Sequence, residues 1–199
     1  MRTGTIPRKP ETIDWKALPS FPMDHLLWSE DPSIDAFGQL CYDDEALYVH
    51  LYAKEANIRA EETGPMGEPC EDSCMEFFFC PIPGDPRYLN IEFNSNCCMY
   101  LGIATTRYNI IRMIPEDRDL FAPKANRTED GWEITYKVPY SFVRTFFPDF
   151  APAAGKTIRA NFYKCGDKTV IEHYKSWNLV ESTFPDFHLS QYYGELTFE

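Results

Sequence analysis

Of two glutamates in neighbouring strand-like runs, Glu76 lies in an apolar row where a carboxylate is out of place, and Glu92 lies among polar neighbours. Glu76 is embedded in Cys74-Met75-Glu76-Phe77-Phe78-Phe79-Cys80, and Glu92 in Tyr88-Leu89-Asn90-Ile91-Glu92-Phe93-Asn94. Burying a carboxylate is costly unless it is hydrogen-bonded. Glu76 therefore either accepts from a neighbouring Arg or Tyr in a structural role, or lies at a ligand face and accepts from hydroxyls. In the second run, alternation sends Leu89, Ile91 and Phe93 one way and Tyr88, Asn90, Glu92 and Asn94 the other. In 98–104, Met99, Leu101 and Ile103 are the apolar set, with Tyr100 and Gly102 opposite them. The expectation is one buried face and one polar, aromatic face. Such a face suits a sugar: aromatic rings stack on the apolar C–H side of a pyranose, and Asn, Asp, Glu and Arg pair with its hydroxyls.

Two further groups fit this chemistry. Trp177-Asn178 sets a ring beside an amide in an irregular stretch, although Trp177 reads equally well as a core tryptophan. His188 lies in the long loop 183–194, where it either touches a ligand or bonds the backbone and fixes the loop. A catalytic alternative uses Glu76 and Glu92 as a glycosidase pair, which must face each other across a cleft. A Cys70–His188 nucleophile pair is a further option, and nothing in the spacing favours it.

The elements that position these groups are short strands. Runs at 36–42 and 46–54 flank the acidic turn Asp43-Asp44-Glu45. In the second run Leu47, Val49 and Leu51 alternate with Tyr48, His50 and Tyr52, the period of a half-buried strand. A Gly- and Pro-bearing loop spans 58–71. Strands follow at 73–80, 88–94 and 98–104, then at 123–128, 132–138, 157–165 and 192–198. Glu129-Asp130-Gly131 is a hairpin turn. Only 139–147 reads as a helix, a short one. Residues 1–33, rich in Pro and aromatics, read as an irregular segment packed on the core. The fold class is all-β, an antiparallel β-sandwich of immunoglobulin-like or jelly-roll-like type with one short helix, formed by residues 1–199 as one domain.

The formal net charge of −12 argues against nucleic acid and against anionic membrane surfaces as partners. No stretch is long and apolar enough to span a bilayer. Seven cysteines, an odd number, do not suit a closed disulfide framework and read as free thiols in a reducing compartment. The N-terminus has no apolar stretch of the kind a signal peptide needs. The expectation is a cytoplasmic protein, or a secreted one where a leader has been removed.

Several of these runs resemble the family 9 carbohydrate-binding modules, in the stand-alone form found in bacterial proteins. The resemblance rests on Leu47-Tyr48-Val49, Asp72-Ser73-Cys74-Met75-Glu76-Phe77-Phe78, the 88–94 run and Gly131-Trp132-Glu133. It continues through Arg159-Ala160-Asn161-Phe162-Tyr163-Lys164-Cys165, Ser176-Trp177-Asn178, Pro185-Asp186-Phe187-His188 and Tyr193-Gly194. It implies a β-sandwich that binds mono- or oligosaccharides between two aromatic rings, beside xylan- or glucan-degrading enzymes. It implies Glu76 as a hydroxyl acceptor, Trp177 as an aromatic wall with Asn178 beside it, and a polar contact at Asn90. The family's second tryptophan, a few residues before the glutamate, has no counterpart in Glu68-Pro69-Cys70-Glu71.

The resulting expectation is non-catalytic binding of glucan- or xylan-derived mono- or oligosaccharides, linked to polysaccharide breakdown. The carbohydrate-contacting set is Trp177, Asn178, Glu76, Asn90, Glu92, Asn161 and His188. No catalytic residue, metal ligand or cofactor is assigned; structural calcium enters only through the resemblance. A structural or interaction domain that keeps the fold without the sugar ranks second, and a glycoside hydrolase third.

Overall fold

Alternating apolar positions in the strand runs close two sheets over one core. The computed structural model describes residues 1–30, 33–117 and 119–199. The smaller sheet runs β10 (Lys124–Arg127), β11 (Gly131–Pro139), β5 (Ala46–Lys54), β4 (Asp35–Tyr42) and β2 (Ser20–Pro22). The larger runs β1 (Thr3–Ile6), β14 (Gly194–Phe198), β12 (Thr157–Gly166), β6 (Cys74–Cys80), β7 (Tyr88–Asn94), β8 (Met99–Thr106) and β9 (Asn109–Arg112). Strand β13 (His173–Ser176) pairs with the far half of β12, and β3 (His25–Leu27) pairs with β13. Only β1 against β14 is parallel among these pairs. The architecture is an all-β sandwich with, among the described residues, one α-helix, α1 (Tyr140–Phe146).

Leu47, Val49 and Leu51 of β5 and Trp132, Ile134, Tyr136 and Val138 of β11 face Met75, Phe77, Phe79, Leu89, Ile91, Phe93 and Phe162 of the larger sheet. Each of these side chains is at most 3% exposed, and burying one contributes about 1.5–3 kcal/mol. In the β4–β5 turn, Asp43 Oδ1 accepts from the amides of Glu45 (2.9 Å) and Ala46 (3.0 Å), an Asx-type closure.

The N-terminal segment departs from its reading as irregular. It supplies β1 and β3 to the larger sheet and β2 to the smaller one. These strands are three or four residues long, too short to show a period of two, and distant partners hold them in place. Asp31 and Pro32 of that segment lie outside the described residues. Strands β9 and β13, four residues each, escape sequence patterning for the same reason.

The second departure is decisive for function. Much of the outer face of the larger sheet is closed off from water. All seven residues of β6 and all seven of β7 are buried on both faces. A second apolar cluster covers that face, built from Phe78, Tyr88, Tyr163, Tyr174, Phe187 and Tyr193 among others. The chain after β13 returns across the sheet and supplies Val180, Phe187 and Tyr193 to it.

Candidate functional site

Tyr163 of β12 and Phe187 of the returning segment stack with ring centroids 4.0 Å apart and planes 11° apart. Tyr163 Oη donates to the Phe187 carbonyl (3.2 Å), and Arg107 Nη1 donates to the Pro185 carbonyl (2.8 Å). These contacts lay the segment over part of the sheet and leave the rest uncovered. What remains is a cavity of about 400 Å³ on the outer face, a size suited to a small ligand.

The floor comes from sheet residues Glu76, Glu92, Cys165 and Tyr100. The walls come from Glu68, Cys70, Asp167, Arg107, Asp186, Phe187 and His188, with Trp28 and Tyr174 on the N-terminal and β13 side. Trp28 Nε1 donates to the Ser182 carbonyl (2.7 Å), and its ring meets Tyr174 and Phe187 at 5.7 Å each. Its backbone is left-handed, φ 48°, which costs a bulky residue about 1–3 kcal/mol and is a feature concentrated at ligand sites. On the other side, the Arg112 guanidinium lies 4.4 Å from the Tyr100 ring centroid and pairs with Glu68 at 2.6 Å. Arg112 also donates to the Gly67 carbonyl and so ties the 58–71 loop to β9.

The floor is electrostatically unusual. Glu76 and Glu92 are register partners, 3% and 6% exposed. Burial pushes the Glu92 carboxyl up to about 8, against the hydrogen bond it accepts from Asn90 Nδ2 (2.9 Å). Burial, then the neighbouring Glu92, pushes Glu76 well above the usual carboxylate range. Glu76 Oε1 accepts from Cys165 Sγ at 3.0 Å, which answers its burial with a thiol instead of an Arg or Tyr. Burial raises Asp167 as well. His188 is pushed down to about 4 by burial and is neutral at pH 7; its Nδ1 pairs with Tyr88 Oη at 2.8 Å. Two oxygens and a ring at one end of a cavity, with Arg107 at the rim, can accept from and donate to several hydroxyls at once.

Of the seven residues expected to contact a sugar, Glu76, Glu92 and His188 line this cavity. Four stand elsewhere. Trp177 is 3% exposed and packs in the inter-sheet core, edge-on to Phe21 (5.2 Å) and Phe162 (6.0 Å). It follows β13 directly, and its inward direction matches that of Phe162, whose carbonyl accepts its amide (2.9 Å). Asn161 and Asn178 lock each other. Asn161 Oδ1 accepts from the Asn178 amide (2.8 Å), and Asn161 Nδ2 donates to the Asn178 carbonyl (2.9 Å). Asn178 Oδ1 in turn accepts from the Arg2 amide (2.7 Å), so this pair fastens β1 to the sandwich. Asn90 is fully buried beneath Gly102, where an added Cβ would collide with its Oδ1. It orients Glu92 from two positions along the same face of β7 and does not line the cavity.

Sequence reasoning missed Trp28, Tyr174, Phe187 and Arg107 as cavity residues. Trp28 had a local signal, a tryptophan beside Ser29 in a stretch without strand periodicity, but no local feature says which loop it meets. Among the described residues, one group of three His, Cys, Asp or Glu side chains is compact enough for an ion: Cys74, Glu76 and Cys165. Calcium takes six to eight oxygens, so two sulfurs and one carboxyl do not fit it.

The family described as Carbohydrate-binding family 9 matches residues 8–198. No curated protein matches. A crystal structure from Bacteroides uniformis ATCC 8492, provisionally assigned as a carbohydrate-binding protein, is similar over 100% of this chain and 99% of its own, at 25% identity and a TM-score of 0.83. A family 9 module from Caldicellulosiruptor kristjanssonii, solved with cellotriose, shares the fold at 13% identity and a TM-score of 0.69, covering 100% of this chain and 94% of its own. The same organism's family 9 module with glucose gives 13% identity and a TM-score of 0.70 over 100% and 96%.

Proposed function

The chain belongs to carbohydrate-binding family 9, and on that premise we propose that it binds a mono- or oligosaccharide in the outer-face cavity without catalysing a reaction. The observation that carries this reading is the pairing, in one cavity, of the Trp28 indole with carboxyls and a guanidinium from three different segments. Trp28 supplies the apolar surface on which a pyranose stacks. Glu92, Asp186, Glu68 and Arg107 supply acceptors and donors for its hydroxyls. Trp28 thus takes the role that the resemblance gave to Trp177. Neutral hydroxylated ligands of the glucan or xylan class suit such a site, and the family's association with polysaccharide breakdown is the context we propose for it.

The catalytic alternative is weaker on geometry. Glu76 and Glu92 rise from adjacent strands on the same face. They approach a ligand from one side, whereas hydrolysis needs two carboxyls flanking the scissile bond. His188, the partner in the Cys70 alternative, has its Nδ1 engaged by Tyr88.

Isothermal titration with glucose, cellobiose and xylobiose, read beside tryptophan fluorescence, tests the proposal. Binding by at least one of them, abolished in Trp28→Ala and kept in an exposed-loop variant such as Val170→Ala, is the expected result. Folded protein that shows neither heat nor fluorescence change at millimolar sugar sinks it.

A further inference from the structure

Two register-paired thiols, one on the cavity floor and one buried beside it, are left unexplained by sugar binding. Cys74 of β6 and Cys165 of β12 are register partners, and Glu76 stands two residues along β6 on the same face. One ligand atom from each of the three lies within 4.8 Å of the others, and Cys165 Sγ is 3.0 Å from Glu76 Oε1. All three side chains are buried, while Cys165 and Glu76 also line the cavity.

We propose that Cys74, Cys165 and Glu76 form a binding site for one thiophilic divalent cation of the zinc class, with its fourth coordination position open to the cavity. Two ligands at i and i+2 on one strand and a third on the neighbouring strand make a triangle of donors. Tetrahedral zinc takes sulfur at about 2.3 Å and oxygen at about 2.0–2.2 Å, which sets donor separations of about 3.4–3.8 Å. The Cys165–Glu76 separation of 3.0 Å and the 4.8 Å within which all three donors lie bracket those values. Three protein ligands and one open position is the arrangement of zinc sites that exchange a fourth ligand. Hard cations are disfavoured by the sulfurs.

The surroundings supply further carboxyls. Glu92, Asp167 and Glu68 line the same cavity, with Arg107 at the rim and Glu68 paired to Arg112. The nearest buried ammonium, Lys164, is committed to the opposite face, with Glu55 at 3.2 Å and His173 at 2.7 Å. Burial holds the Cys74 thiol up at about 12, so that ion-free thiol keeps its proton. On binding, metal–sulfur and metal–oxygen bonds replace the S–H bonds and any O–H bond the ligands carry, and the released protons pass to solvent. This inference does not rest on the sugar reading: the site binds its ion whether or not a sugar occupies the cavity.

The test uses the full chain, reduced and stripped with chelator. Titration with Co2+ is expected to give a thiolate-to-cobalt charge-transfer band in the near ultraviolet, saturating at one ion per chain and displaced by Zn2+. The band is expected to disappear in Cys74→Ser and Cys165→Ser, to weaken at least tenfold in apparent affinity in Glu76→Gln, and to persist in Cys97→Ser. Zinc-edge absorption on the unmutated, zinc-loaded chain needs no variant to fold, and is expected to show two sulfurs with oxygen in the remaining positions. Absence of the band at saturating cobalt, its persistence in the folded Cys74→Ser and Cys165→Ser proteins, or a zinc shell without sulfur overturns the proposal.

Discussion

Glu76 and Glu92 face each other directly across the β6–β7 pair, both buried, on the floor of the cavity. Like charges opposite one another on a sheet repel, and neither carboxyl has a cation as its direct hydrogen-bond partner: Glu76 takes a thiol, Glu92 an amide. The pair therefore holds protons at pH values where free carboxylates have lost them.

This gives the protein a pH signature. The folded Glu92 carboxyl titrates near 8, above its ordinary 4.5, so the folded state binds the extra proton. Its stabilising effect is complete below about pH 4.5 and is lost as pH rises through 8. His188 and His173 act oppositely: burial depresses both to about 4, so their effect is lost as pH falls from 6.5 toward 4. Between pH 6.5 and 8 the carboxyl dominates. Stability is expected to fall by about 1–2 kcal/mol across that window. Denaturant titrations at the two pH values check it, and Glu92→Gln should reduce the difference, with the raised Glu76 carboxyl carrying what remains; a fall as steep as the parent's in that variant refutes the assignment.

The two tryptophans named in connection with binding should separate cleanly. Trp177→Ala empties a site in the inter-sheet core and should cost about 3–5 kcal/mol of stability. Trp28→Ala should cost less stability and remove sugar affinity. Paired thermal melts and titrations check this, and loss of affinity in a Trp177→Phe protein that keeps its fold, with Trp28→Ala binding normally, would restore Trp177 to the site.

Asn161→Ala should act on stability alone. Its side chain serves the amides of Phe162 and Asn178 and the Asn178 carbonyl. Removing it leaves buried backbone groups unpaired, at about 1–3 kcal/mol each. A chemical-denaturation midpoint well below the parent's, with unchanged sugar affinity at a temperature where the variant is folded, is the expected outcome.

Gly102→Ala should reach the site indirectly. The new methyl meets Asn90 Oδ1, and Asn90 holds Glu92. Overpacking of this kind costs about 1–3 kcal/mol. Sugar affinity is expected to weaken with it, although residue 102 touches no ligand. Calorimetry on Gly102→Ala and Asn90→Ala should show losses of the same direction.

Periodicity was a good guide wherever one strand had room to show it. The runs at 36–42, 46–54, 88–94 and 132–138 fall on β4, β5, β7 and β11, and 139–147 on α1. Glu76, Glu92 and His188 line the cavity: Glu76 stood out as a carboxylate in an apolar row, Glu92 by its place on the polar face of its strand, and His188 as a His in a long loop. Short strands such as β3 and β13 carry no such pattern. Of the two readings open for Trp177, the structure has the core one, and its neighbour Asn178 spends its side chain on Arg2 and Tyr192.

Alternation within a strand is local stereochemistry, so the chain by itself determined the sandwich, its apolar core face and the mixed polar and aromatic makeup of the opposite face. Whether that opposite face meets water or protein is a long-range matter. The segment after β13 could cover it only once Phe187 found Tyr163 and Ser182 found Trp28. That packing decided which tryptophan reaches the cavity. It also decided that Cys165 meets Glu76 from 89 positions away, since strand pairing, and not sequence distance, sets which side chains share a floor.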